Sequence, residues 1–107
     1  MRLYSLKKMV KGWFIGNFEP SSFKTDQFEV AIKRYPANST EPPHYHKIST
    51  EYTLIVLGIA EINGQTYSED DIIVIPPGEV SSFMTLTEVV TCVVKYPSSS
   101  DDKYVVD

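Results

Sequence analysis

The sequence predicts an all-β fold in a single domain of 107 residues, and three observations predict it. Val, Ile and Thr number 28 against 11 for Leu, Ala and Met, so residues suited to a pleated surface outnumber the aliphatic helix formers. Between Gly12 and Tyr96 short β-rich runs alternate with turn signals at the spacing of a sandwich or barrel. No segment sustains a helical pattern for three turns.

The elements follow in order. Trp13–Phe18 is an aromatic run that reads as core or subunit-facing surface rather than as a ligand platform. Phe28–Tyr35 is closed by Pro36, which cannot donate to a ladder. Pro42-Pro43 delivers an extended chain into His44–Lys47, and Tyr52–Leu57 runs up to Gly58. Ile59–Ile62 and Gln65–Ser68 flank Asn63-Gly64, the residue pair that best tolerates the two positive φ angles of a type I′ turn, so a tight hairpin is expected there. Ile72–Ile75 is capped by Pro76-Pro77-Gly78, and Val80–Met84 and Val89–Tyr96 complete the set. The stretch Ser98-Ser99-Ser100-Asp101-Asp102 has too little apolar surface to fold alone, which makes 98–107 a tail or a strap on a core of about 12–97.

Composition excludes several classes of function. A hydrophobic content of 42% with seven Tyr and five Phe excludes a disordered chain, and no apolar run approaches the ~18 residues of a membrane span. The formal net charge is -4 and the basic residues are scattered, which argues against nucleic acid as a partner. Arg2, Lys7, Lys8 and Lys11 open the chain, but the apolar stretch and cleavage site of a secretory leader do not follow them. Cys92 is the single cysteine and cannot form an internal disulfide, which fits the cytoplasm.

Chemistry concentrates around the two histidines, His44 and His46, whose i, i+2 spacing on a strand directs both imidazoles to one face. Glu51 follows a turn-like segment and can return its carboxylate beside the rings on the next antiparallel strand. Two imidazoles and a carboxylate on a β frame suit a divalent first-row metal, with Fe, Mn, Ni and Zn all admissible. The alternative is a pair of surface histidines on a barrel that holds no metal.

Pro43-His44-Tyr45-His46, Glu51 and Gly58 together resemble the first motif of the cupin superfamily, H-x-H-x4-E-x6-G, without a gap. Asn38 stands at its leading glycine and can still adopt a left-handed turn. The second motif resembles Asp71–Gly78, with Asp70 at its leading glycine, Ser81 at its histidine and Thr85 at its asparagine. The resemblance spans about Tyr35 to Tyr96 and implies a cupin barrel, a double-stranded β-helix or jelly roll, covering 1–107 as one domain.

It also implies site residues. Counting back from Asn38, Tyr35 and Lys33 point into the cavity, and parity from Glu51 adds Thr53 and Ile55 to the wall. Lys33 there pairs with an anionic substrate or stands solvated without a role. The face bearing Phe28, Val30 and Ile32 is then covered by a second copy of the chain or by the N-terminal strand, as in a homodimer. Ser81 is a poor substitute for the missing histidine, and Glu79 shares its parity. If Thr85–Glu88 is a four-residue hairpin loop, Cys92 pairs with Ser81 and stands at the site; otherwise it is an inert small hydrophobe.

Two functions remain open. One is a metal-dependent enzyme of dioxygenase, isomerase or lyase type on a small polar or anionic metabolite, with Lys33, Tyr35, Thr53, Ser81 and Cys92 contacting substrate. The other is a non-catalytic receptor for a small molecule or sugar. Fold does not select between them.

Overall fold

The computed structural model describes residues 1–99 and 101–106. Its strands are β1 (Trp13–Gly16), β2 (Phe23–Lys24), β3 (Glu29–Tyr35), β4 (Thr40–Tyr45), β5 (Thr50–Leu57), β6 (Ala60–Ile62), β7 (Gln65–Tyr67), β8 (Ile72–Ile75), β9 (Ser81–Thr85), β10 (Val89–Tyr96) and β11 (Tyr104–Val105). Among the described residues the only helical element is a 3-10 turn at Leu6–Lys8. One sheet runs β2-β1-β3-β10-β5-β8 and the other β11-β4-β9-β6-β7.

Every strand expected from the sequence is present, with two short additions, β2 and β11, whose two residues are too few to show alternation. β4 starts at Thr40 rather than His44 and runs through Pro42-Pro43. Its register against β9 shifts between Glu41 and His44, so the prolines lie in a bulge where no ladder donor is required. Asn63 and Gly64 both have positive φ and close the β6–β7 hairpin with Ile62 opposite Gln65. Asn38 (φ 61) and Asp70 (φ 76) also adopt the left-handed geometry usually given to glycine. Gly58 admits no side chain: its φ is +94, and an added Cβ would lie 2.0 Å from the Glu88 carbonyl oxygen.

β9 and β10 belong to different sheets, so the connection between them crosses the barrel instead of forming a tight hairpin. β9 pairs with β4 and β6, whereas β10 pairs with β3 and β5.

Register then fixes which side chains face inward. Thr91 lies opposite Lys33 and Ile55, Val93 opposite Ala31 and Thr53, and Lys95 opposite Glu29 and Glu51. One end of this wall is packed: Ile55, Ala60 and Val89, all 0% exposed, form a core flanked by Tyr35, Tyr67, Ile73 and Phe83. The other end carries Glu51, Lys95 and Glu29.

The segment read as a tail or strap crosses the barrel. Tyr104 and Val105 pair with Tyr45 and His44, covering an edge of β4. Tyr45 and Tyr104 stack at 5.4 Å, and Lys47 lies 4.2 Å over the Tyr104 ring. Ser100 and Asp107, part of the segment 98–107, lie outside the described residues. Among the described residues no helix is long and apolar enough to cross a membrane.

Candidate metal centre

His44 is the penultimate residue of β4, beside Ser81, and His46 follows one residue past the strand. Both are buried, and the rings cross at 77° with centroids 5.4 Å apart. Glu51, second in β5, completes a group whose ligand atoms lie within 4.8 Å of one another. The loop between His46 and Glu51 is held from two sides. Asp102, 2% exposed, accepts backbone hydrogen bonds from Lys47 at 2.8 Å, Ile48 at 3.1 Å and Ser49 at 2.9 Å. On the other side the Gly78 N–H of the Pro76-Pro77-Gly78 turn donates to the His46 carbonyl at 2.7 Å.

These contacts set the tautomers. His46 Nδ1 is hydrogen-bonded to the Asp102 carbonyl, and His44 Nδ1 lies 3.2 Å from the Pro42 carbonyl. Carbonyls only accept, so each Nδ1 carries the proton and each Nε2 keeps a lone pair. Among the described residues His46 Nε2 is buried without a hydrogen-bond partner, and it stands 3.4 Å from Glu51 Oε1. Two lone pairs confronting each other in a buried site need a cation between them. A proton meets that need by holding His46 above the ordinary imidazole range, with the Glu51 carboxylate as the main cause and burial opposing it. A divalent ion meets the same need with both atoms as ligands, and carbonyl-oriented imidazoles are the usual outer support of such sites. The donor set therefore fits a metal.

Burial lowers His44, which keeps it neutral and ready to ligate. Burial raises Glu51, but the His46 imidazole 3.4 Å away and a hydrogen bond from the Thr53 hydroxyl at 2.9 Å prevail and hold it below the ordinary carboxylate range.

Solved structures share this architecture. An uncharacterised conserved protein with a double-stranded β-helix domain from Klebsiella pneumoniae superposes over 100% of this chain and 98% of its own, with a TM-score of 0.72 and 18% identity. A cupin-2 domain protein from Shewanella frigidimarina matches 67% of this chain and 72% of its own, with a TM-score of 0.59 and 17% identity. The chain has the cupin fold. Oxalate decarboxylase of Bacillus subtilis, a protein with Mn(II) centres, matches 77% of this chain at a TM-score of 0.64 and 17% identity, and this chain spans 25% of it. No family model and no curated protein matches the sequence.

The cupin barrel opens into a cavity of about 240 Å³ lined by the triad and by Lys33, Tyr35, Thr53 and Ser81. Tyr35 donates to Glu41 Oε1 at 2.9 Å, and burial together with that carboxylate pushes its hydroxyl well above the ordinary phenol range. Ser81 is buried opposite His44, where the second motif has its histidine. Glu79 is exposed and absent from the cavity.

Cys92 does not belong to the site. The expectation rested on a β9–β10 hairpin that does not form, and Cys92 instead lies opposite Ile32 and Leu54 on the outward face of the six-stranded sheet. Trp13, read as core or subunit surface, lines the cavity, as do Lys11, Glu41, Thr91, Lys95 and Lys103. Parity along β10, counted from the observed pairing, reveals Thr91 and Lys95; the assumed hairpin hid them.

Proposed function

We propose that this protein is a metal-dependent cupin enzyme that acts on a small polar or anionic metabolite, with His44, His46 and Glu51 holding one divalent ion of the Fe, Mn, Ni or Zn kind. One observation carries this reading: the unpartnered His46 Nε2 faces the Glu51 carboxylate at 3.4 Å. A bound metal would act as a Lewis acid on a substrate oxygen. Thr53 orients Glu51, leaving the second carboxylate oxygen directed to His46. Ser81 leaves room for substrate where a fourth protein ligand would stand, and Lys33 and Tyr35 orient the substrate. Dioxygenase, isomerase and lyase chemistry all use such a site.

A non-catalytic receptor for a small molecule or sugar is the second reading, favoured by Tyr35, whose hydroxyl proton is committed to Glu41. Untagged apoprotein titrated with Fe(II), Mn(II), Ni(II) and Zn(II) near neutral pH should bind one ion per chain, with loss in His46→Ala and Glu51→Ala. Failure of all four ions to bind sinks the metal reading and promotes the receptor.

The chain also reads as a cytoplasmic homodimer. The lone Cys92 supports the compartment. The N-terminal strand β1 pairs with β3 of its own chain, and Leu6, Met9 and Phe14 gather over Ile32. That leaves Tyr52, Val56, Ile72 and Val74 exposed together on the outward face of β5 and β8, a patch suited to a second copy. Val74→Lys should convert a dimer to a monomer in light scattering, and a monomeric parent protein would refute the pairing.

A further inference from the structure

Lysines crowd the cavity wall in a chain whose formal net charge is -4. Lys11, Lys33, Lys95 and Lys103 line it against the carboxylates Glu41 and Glu51. Lys95 has a partner, Glu29, at 3.7 Å, and Glu41 accepts the Tyr35 hydroxyl. Lys33 has no carboxylate within ion-pair distance among the described residues, although it is half-buried. Burial lowers its pKa, Glu41 opposes the shift, and Lys103, Lys11 and Lys95 add to it.

Two further observations concern the same wall. Thr91, directly opposite Lys33 on the neighbouring strand, is 1% exposed, and its hydroxyl has no partner among the described residues. A buried hydroxyl without an acceptor is unfavourable, and a ligand in the cavity would satisfy it. Trp13 lies opposite Ala31, and the ammonium groups of Lys33 and Lys95 each stand 5.1 Å from the centroid of its ring. The ring face holds the two cations at the cavity without neutralising them.

We infer that Lys33 and Thr91 form a carboxylate subsite, with Lys95 and Trp13 as its flank, and that the molecule bound in this cavity is a small organic carboxylate. The Lys33 ammonium supplies the charge and the Thr91 hydroxyl donates a hydrogen bond to a carboxylate oxygen. Glu41 and Glu51 on the same cavity set against a phosphoryl group, which carries more charge than a single carboxylate. The volume of about 240 Å³ restricts the rest of the molecule to a few atoms. This inference rests on the cavity being a ligand site and not on the metal.

Trp13, the only tryptophan, reports on the subsite directly. Chelator-treated protein is titrated with glycolate, acetate and inorganic phosphate at constant ionic strength while Trp13 fluorescence is followed. Glycolate or acetate should give a saturable change, with affinity on the order of ten-fold weaker in Lys33→Met and in Thr91→Val, the size of one charge-assisted hydrogen bond. Lys24→Met, which alters an exposed lysine paired with Glu19, should leave the affinity unchanged. Absence of a saturable change up to about 50 mM, far beyond a millimolar site, overturns the inference. So does phosphate binding more tightly than either carboxylate, or unaltered affinity in both well-folded variants. Because no metal is present, failure here leaves the triad standing, and failure of the triad to bind metal leaves this subsite standing.

Discussion

The two ends of β5 occupy opposite kinds of environment. Ile55 is fully buried against Ala60 and Val89, while Glu51, four residues earlier and roughly 13 Å away along the strand, faces unpartnered histidine nitrogen. Packing holds the first end. Hydrogen bonds hold the second, through Thr53, Ser49 and the buried Asp102. Fully buried Ile55, Ala60 and Val89 gather at the first end, while the second opens on the charged and polar side chains of the cavity. The two ends should therefore fail separately.

The largest expected effect is at the packed end. Ile55→Ala should lower unfolding stability by about 2–5 kcal/mol, read by urea denaturation, while metal affinity of the folded protein stays that of the parent. A matching fall in affinity would mean that the ends are coupled and the contrast is false.

Asp102→Ala is next. It strips three backbone N–H groups of their acceptor, a loss on the order of 1–3 kcal/mol. It also frees the carbonyl that orients His46, so metal affinity should fall by about ten-fold or more. An unchanged metal isotherm would separate the strap from the site. The same carboxylate gives a pH test. Burial raises Asp102, but the backbone hydrogen bonds from Ser49, Lys47 and Ile48 prevail and depress it. Its contribution is thus present above the ordinary carboxylate range and lost as pH falls through the depressed value. In Asp102→Asn that part of the acid loss should be missing.

Smaller still is a gain. Ser81→His adds an imidazole beside His44, and metal affinity should tighten on the order of ten-fold with the fold intact by circular dichroism. Unchanged or weaker binding would mean that Ser81 does not face the ion. For the parent protein, affinity should decline as pH drops through the imidazole range, because protons compete for Nε2; a flat profile between pH ~5 and ~8 would argue that imidazoles are not ligands.

Much of the His44, His46 and Glu51 end was legible because its signal is local. The spacing of His44, His46 and Glu51 and the turns at Asn38, Asn63-Gly64 and Pro76-Pro77-Gly78 lie within short stretches whose φ preferences and alternation can be read directly. The inward direction of Lys33 and Tyr35 ran against composition, which would have buried Val30 and Ile32. Only the motif resemblance turned that strand the right way. What stayed hidden depends on pairing between distant strands. Cys92 was misplaced because a loop of ordinary hairpin length instead joins two sheets. Asp102 was invisible since nothing in Ser98-Ser99-Ser100-Asp101-Asp102 announces a buried carboxylate 53 residues from Ser49, whose N–H donates to it. Trp13 looked like core because aromatic character does not reveal that lysines lie over the ring.

The strap has a consequence for synthesis. His46 takes its fixed tautomer from Asp102, 56 residues downstream, and ribosomes add only about 5–20 residues per second. For the seconds between the emergence of the two residues, the histidine pair and Glu51 exist on a chain that cannot yet orient them. The geometry that the triad would offer a metal is therefore complete only after Asp102, 56 residues later in the chain than His46, has emerged and docked.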